Sequence, residues 1–355
     1  MQFEYPEVLR PEELDRYLAR GWFRMRQSIF TCDYLMRDHS VHSTLWLRLP
    51  LAHYNYTYSL RKLLNKNDRL MDVSLNPLGL TEEMETLYQR YKNDFKGQLS
   101  DSLLCSLYDD ESEKNIFDSW QFEVRHEGKL VAFSVFDKGE DSIESIKGIY
   151  DPEFSSYSLG IYTMLLEIRN GIQENKNYYY PGYFAPGCSS FDYKLRLGSM
   201  EYLERGKGWL PLDNLDINKV ASVDAERALK HLITALEPLS HKVFWTLSPA
   251  FRIIPIDRRL QGCINSPLYI SFGGDGNNEL IVTWNLKNQV YKLTMCRVIA
   301  HIRREISHDG IYSEPAPDNL NVLHTNEILH PIEELGEFSD PVDMLPLLEI
   351  ILDTN

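Results

Sequence analysis

Residues 120–150 read WQFEVRHEGKLVAFSVFDKGEDSIESIKGIY. Three runs within them, Gln121–Arg125, Leu130–Asp137 and Ile143–Tyr150, are rich in β-branched and aromatic residues. His126-Glu127-Gly128-Lys129 and Lys138-Gly139-Glu140-Asp141 supply turn residues between the runs. The spacing predicts three antiparallel strands with short connections. From Ser158 the period changes. Ile161, Met164, Leu165 and Ile168 recur at i, i+3, i+4 and i+7, one face of a helix with Gly171 near its end. Tyr178-Tyr179-Tyr180 opens a further strand that Pro181-Gly182 interrupts. A meander, a helix and a strand in that order indicate an α+β domain.

Outward from this block, Arg10-Pro11-Glu12-Glu13 opens a helix with proline at its first turn and acids at its positive end; Leu14, Tyr17 and Leu18 form its apolar face. Phe23–Tyr34 and Ser43–Leu51 read as strands, the second with Leu45, Leu47, Leu49 and Leu51 alternating against polar or bulky neighbours. Ser59–Arg69 carries four bases and one acid in eleven residues. Thr81–Phe95 is a helix with the face Met84, Leu87, Tyr88, Tyr91 and Phe95. The acidic stretch 109–113 reads as a boundary. Downstream, residues 224–237 read as a helix and Leu268–Phe272, Leu280–Trp284 and Val290–Met295 as strands, with a turn at 273–277. Residues 308–343 read as a loosely packed tail ending in apolar Met344–Leu352. The expected division is 1–110, 111–215 and 216–355.

The chain has 355 residues, 43% of them hydrophobic, and a net charge of −15, a globular composition. No apolar run approaches the roughly 20 residues that cross a bilayer, and Met1–Arg10 lacks a basic-then-apolar pattern, so neither a membrane nor a secretory signal is expected. Five scattered cysteines, with no C-x-x-C pair, support neither a disulfide framework nor zinc; a reducing cytoplasm fits them. The charge excludes broad, non-specific nucleic-acid binding. It is uneven, however: residues 1–100 hold 14 bases against 13 acids and the remainder 23 against 39, so a polyanion belongs on the first hundred residues.

Tyr150-Asp151-Pro152, Ser158-Leu159-Gly160-Ile161-Tyr162 and Glu167-Ile168 resemble the Y-D-P…S-L-G-x-Y…E-I signature of the arginyl-tRNA–protein transferases. Tyr178-Tyr179-Tyr180-Pro181-Gly182-Tyr183…Cys188…Tyr193-Lys194 is similar to that family's Y-Y-Y-L-G-Y…C-x-K-M-x-Y-K stretch. Gly21-Trp22-Phe23-Arg24 and Ser59-Leu60-Arg61-Lys62…Asn67 resemble weaker landmarks, so the resemblance covers roughly residues 15–70 and 120–205. Pro181 stands for the usual leucine, and Ser190-Phe191 for Lys-Met. The resemblance and the element order imply a GNAT-like acyltransferase core (antiparallel meander, helix, strand), with an amino-terminal α/β region and a carboxy-terminal extension. The implied reaction moves an amino acid, arginine by this resemblance, from its tRNA ester to the α-amine of an acceptor protein with an acidic first residue. Two rivals stand beside it: a GNAT acyltransferase using a CoA thioester, which the absent Q-x-x-G-x-G/A loop disfavours, and a non-catalytic homologue that binds protein amino termini or tRNA.

An activated ester and an amine need orientation, removal of a proton from the amine and stabilisation of an oxyanion. Asp151 is the first candidate for orienting or deprotonating the amine; a turn aspartate held by Pro152 is the structural alternative. Tyr162 and Tyr183 offer hydroxyls to the ester or ribose, or pack as aromatics. Ser158, Leu159 and Gly160 belong at the amino end of the helix, where unpaired N–H groups meet donor oxygens, or else cap and pack it. Glu167 either reads a cationic amino-acid side chain or lies on a solvated face. Lys194 and Arg196 meet phosphate or the acidic acceptor, or are surface charge. Cys188, the one cysteine inside a matching motif, reads as a small buried residue. Arg61, Lys62, Lys66 and Arg69 share part of a helical surface and are the candidates for the tRNA backbone. The family's cysteine-bound metal or iron–sulfur centre is not expected, because only Cys32 and Cys105 are available. His39, His42 and His53 lack further ligands, so no metal and no cofactor are expected.

Overall fold

The computed structural model describes residues 1–37, 40–95, 99–108, 114–239, 243–248, 251, 257–260, 262–274, 276–301, 322–324 and 327–353. His39, the acidic stretch 109–113, position 275 of the expected turn and residues 308–321, 325 and 326 of the expected tail lie outside them. The chain forms two compact units: Gln2–Thr31 with Leu45–Leu215, and Met1 and Cys32–Thr44 with Asp216–Asn355.

In chain order the elements of the first half are β1 (Gln2–Glu4), α1 (Pro11–Ala19), β2 (Phe23–Met25), β3 (Ser28–Thr31), β4 (Tyr34–Arg37), β5 (Ser40–Ser43), β6 (Leu45–Pro50), α2 (Tyr58–Asn67), β7 (Asp72–Pro77), α3 (Glu82–Asp94) and α4 (Leu103–Leu107). There follow β8 (Ser119–His126), β9 (Lys129–Lys138), β10 (Ser142–Tyr150), α5 (Leu159–Gln173), β11 (Tyr178–Phe184), β12 (Glu201–Glu204) and β13 (Gly208–Pro211). Phe23–Tyr34 is not one strand. Arg26 takes a left-handed φ of 54° and folds β2 back on β3.

The main sheet of the first unit has the order β13-β12-β6-β11-β10-β9-β8-β7. Segments 1–110 and 111–215 thus share one sheet, because β6 and β7 pair with strands of the later block. Every neighbouring pair is antiparallel except β10 with β11, which α5 connects. That parallel ladder holds only Ser142–Glu144 against Tyr178–Tyr180. Beyond it β10 stays with β9 and β11 with β6, so the sheet is split from its middle. Pro181-Gly182 does not end β11. It makes a bulge against β6, with Gly182 at φ 86°, a conformation that side chains disfavour.

One face of the sheet packs Leu130, Phe133, Val135 and Ile149 against Met84, Leu87 and Tyr88 of α3 and Leu103 and Leu107 of α4. The crossover helix α5 is buried on nearly every side. At Gly171 a Cβ would come within 2.9 Å of Leu51 Cδ1 and 3.2 Å of Ile143 Cδ1, so glycine permits the close helix–sheet approach. Arg24 of β2 enters the interior and donates to Asp137 (2.9 Å) and Ser119 (2.9 Å), while its backbone N–H donates to Glu144 (2.7 Å). Burial pushes Glu144 up to about 8.

The second unit continues with α6 (Ala221–Leu236), β14 (Phe244–Leu247), β15 (Leu268–Gly274), β16 (Asn278–Asn285), β17 (Val290–His301), β18 (Val322–His324), β19 (Glu327–Phe338) and α7 (Leu345–Asp353). Its six-stranded sheet has the order β18-β14-β15-β16-β17-β19, and its core joins Leu229 and Leu232 of α6, Ile270, Val282 and Leu293 of the strands, and Met344 and Leu348. Residues 327–338 are therefore a paired edge strand, not a loose tail. The register with β17 shifts three times, once at Pro331, and this hides the period of two from the sequence. Lys292 bridges Glu334 (3.1 Å) and Glu337 (2.7 Å) across the pair. Among the described residues, no helix is long and apolar enough to cross a membrane.

Candidate active site

The site is built where β10 ends. Asp151 caps a 3₁₀ turn, Pro152–Tyr157, through its carboxylate, which accepts from Glu153 N–H at 3.2 Å; its own N–H donates to Val131 O at 2.8 Å. Its Oδ2 lies 3.0 Å from Arg90 Nη1 and 3.0 Å from Lys129 Nζ. Asp151 is buried while both cations reach solvent. The two ion pairs fix the carboxylate in place at the end of β10. A concavity of about 280 Å³ is lined here by Arg90, Asn93, Asp94, Asp151, Pro152 and Glu153.

The turn passes into α5 through Ser158, which adopts a left-handed φ of 51°. Its hydroxyl does not cap the helix; its carbonyl accepts from Ile161 (3.1 Å) and Tyr162 (3.0 Å). Among the described residues, the N–H groups of Leu159 and Gly160 meet no acceptor. Leu159 is buried and Gly160 half-buried. A Cβ on Gly160 would sit 3.3 Å from the Tyr150 ring, so glycine lets this aromatic close on the helix start. Tyr150 stands edge-on to Tyr91 of α3 at 5.2 Å.

Helix α2 is tied to the same turn. Asn67 Nδ2 donates to Tyr157 O (2.9 Å), and Lys66 Nζ lies 4.7 Å from the centre of the Tyr157 ring. Asp68, just past the helix, accepts from the Tyr162 hydroxyl (2.8 Å) and from Arg169 Nη1 (2.8 Å). The Tyr162 side chain is buried and its hydroxyl is spent on Asp68; burial, and then Asp68, raise its pKa. Leu60 and Leu64 pin α2 inward. Its outer side carries Arg61, Lys62, Asn65 and Lys66, which with Tyr58 and with Arg69 and Leu70 just past its end line a concavity of about 490 Å³.

Glu167 is not on a solvated face. It is fully buried, accepts from the Tyr179 hydroxyl at 2.8 Å, and has one oxygen, Oε1, without a hydrogen-bond partner. Burial pushes it up to about 7. Lys194 is likewise no surface charge. It sits in the 3₁₀ segment Ser189–Leu197, donates to Tyr183 O at 2.7 Å and lies 5.3, 5.4 and 6.0 Å from the ring centres of Tyr183, Phe191 and Tyr193. Burial pulls its pKa down to about 7. Tyr183, on β11, is half-buried and packs edge-on to Trp46 at 5.3 Å. Cys188 is buried, with its Sγ 3.4 Å from Ser190 Oγ.

The structure thus brings Asp151, Ser158, Leu159, Gly160 and Lys66 around one turn, with Arg61, Lys62 and Arg69 lining the separate concavity beside α2 and Tyr183 and Lys194 on the β11 side of the split sheet. It commits Tyr162 to Asp68. Sequence reasoning missed Arg90, Lys129, Asp68 and Tyr58. The first three reveal themselves only through partners 61, 22 and 94 residues away, and Tyr58 only through its exposure.

The cysteines do not suit a metal or iron–sulfur centre. Burial pushes the Cys32 thiol up to about 11, away from the thiolate a metal needs. Among the described residues no group of three or more His, Cys, Asp or Glu could hold a metal ion.

A family model described as arginine-tRNA-protein transferase, C terminus, matches residues 83–204. The chain is 31% identical over 221 residues to the aspartate/glutamate leucyltransferase of Campylobacter jejuni subsp. jejuni serotype O:6, covering 58% of this chain and 86% of that protein. It is 30% identical over 200 residues to the aspartate/glutamate leucyltransferase of Leptospira interrogans serovar copenhageni, covering 54% of this chain and 74% of that protein. L-PGS from Bacillus licheniformis, a solved structure, is 12% identical with a TM-score of 0.31, over 51% of this chain and 52% of that one.

Proposed function

Because the chain belongs to the aminoacyl-tRNA–protein transferase family and is an enzyme of that aminoacyltransferase kind, we propose that it moves leucine from its tRNA ester to the α-amine of an acceptor protein whose first residue is acidic. The donor follows the relatives, and the cytoplasm is the compartment that five free thiols suit. In this reading the core is GNAT-like, and the split between β10 and β11 takes the ester.

The observation that carries the reading is the tie between the basic concavity of α2 and the turn that opens α5, through Asn67, Lys66 and Tyr157. A polyanion seated on Arg61, Lys62, Lys66 and Arg69 delivers its end beside the N–H groups of Leu159 and Gly160. Those groups take the carbonyl oxygen of the ester as it becomes an oxyanion. Asp151 fixes the incoming ammonium, and the neighbouring Arg90 and Lys129 take the acidic side chain of the acceptor. The ammonium gives one proton to water, and the resulting amine forms a C–N bond to the carbonyl carbon and passes a second proton to the departing ribose oxygen. The C–O bond of the ester then breaks, and the ribose oxygen leaves with a proton. Tyr183 and Lys194 line the β11 side of the donor.

A second reading keeps arginine as the donor. A buried acid in the donor motif, Glu167, favours it, as an acceptor for a guanidinium.

The test incubates the protein with radiolabelled leucyl-tRNA, arginyl-tRNA or acetyl-CoA and with peptides beginning in Asp, Glu or Lys. Leucine is expected on the Asp and Glu peptides only. Transfer from arginyl-tRNA alone selects the second reading, and acetylation the thioester rival. No transfer from either aminoacyl-tRNA overturns the proposal.

A further inference from the structure

Tyr58 is the first residue of α2, and 83% of it is exposed, yet its ring lines the concavity that the four cations form. Among the described residues, no aromatic ring, cation or hydrogen-bond partner meets it. Cations alone would describe a track for a phosphate backbone, and a duplex offers a helix face little else. An aromatic face among them suits something more specific: an unpaired base, which stacks on tyrosine while neighbouring phosphates meet lysine and arginine.

Position refines this. Helix α2 runs from Tyr58 to Asn67, whose side chain touches the turn before α5. Nine steps at about 1.5 Å place Tyr58 about 14 Å along the axis from that turn. At about 3.4 Å per stacked nucleotide this is about four nucleotides.

Resting on the tRNA reading above, we propose that the α2 concavity holds the unpaired 3′ end of the tRNA and that Tyr58 stacks on a base a few nucleotides back from the ester. Tyr58 is then the residue that distinguishes a single-stranded end from a duplex, and Arg61, Lys62 and Lys66 follow the phosphates from it toward the turn. The ring contacts no reacting atom; it registers the strand so that the ester arrives at Gly160.

The experiment measures binding of fluorescently labelled, uncharged tRNA to the full chain by anisotropy, over a salt series, beside the same tRNA trimmed of its unpaired 3′ end. Tyr58→Ala should weaken intact tRNA about tenfold, with the salt slope unchanged. Tyr58→Phe should bind like wild type. On the trimmed tRNA, wild type and Tyr58→Ala should bind alike. Arg61→Gln should instead lower the slope by about 1. Wild-type affinity of Tyr58→Ala for intact tRNA overturns the inference. So does equal weakening on intact and trimmed tRNA, which would mark a duplex contact.

Leucyl and arginyl transfer by the wild type are assayed in parallel. Transfer without a Tyr58 effect removes this inference alone, whereas absence of both transfer and tRNA binding removes the functional reading with it.

Discussion

Replacing Glu167 by glutamine tests both the interior of the first unit and the choice of donor. The carboxyl is fully buried, is held by the Tyr179 hydroxyl at 2.8 Å, and rises from 4.5 to about 7 because burial disfavours its charge. Below pH 4.5 it is neutral in both the folded and the unfolded chain and costs nothing. Between about 4.5 and 7 the unfolded chain ionises first, so stability falls as pH rises; above about 7 the cost is constant. At about 1.4 kcal/mol for each tenfold change in proton affinity, the full cost is about 3 kcal/mol. Glutamine keeps an acceptor for Tyr179 and cannot ionise. Relative to wild type, Glu167→Gln should therefore gain about 3 kcal/mol between pH 4.5 and 8. Subtracting one chain from the other removes the similar slope of Glu144. The assay is equilibrium urea unfolding of both chains at intervals across that range, read on the transition that melts the first unit. A flat difference would refute the reasoning, since Glu167 would then be ionised with equal ease in both states. The same pair separates the donors. If the carboxylate grips arginine, arginyl transfer vanishes in the variant at every pH, while leucyl transfer persists.

Asp151→Asn should lower transfer at least about tenfold by unfixing the amine. Losing ion pairs to two partly exposed cations should cost stability only about 1 kcal/mol; near wild-type turnover in a steady-state peptide assay would remove Asp151 from the reaction. Tyr162→Phe should cost about 1 kcal/mol of stability in urea, through the lost bond to Asp68, and leave kcat within about twofold. A larger fall in kcat would return the hydroxyl to the chemistry. Arg61→Glu with Lys62→Glu should weaken tRNA binding and lower the salt slope by about 2 in filter-binding titrations; an unchanged slope would move the tRNA footprint elsewhere.

Local periodicity located the strands at 121–150, the helices α3 and α5, and Arg61, Lys62 and Lys66 on one side of a helix; Arg69 instead lies past its end. Each is a statement about neighbours within a turn or a hairpin, and nearby residues suffice to make it. Order and spacing of the Asp151–Glu167 and Tyr178–Lys194 motifs likewise carried the family resemblance. Only tertiary structure decided that β6 and β7 complete the sheet of the later block, that β19 pairs with β17 through three register shifts, and that the ladder between β10 and β11 stops after Glu144. It also decided the state of single side chains. Glu167 and Lys194 look like ordinary charges in the sequence, and burial makes them otherwise. Asp151 is the sequence's first candidate for the amine; that it caps the turn and is held by Arg90 of α3 and Lys129 of β9 is known only from the fold. The physical reason is common to all of these. Charge, solvation and strand pairing depend on what lies within a few ångströms in space, and a chain records only what lies within a few residues along itself.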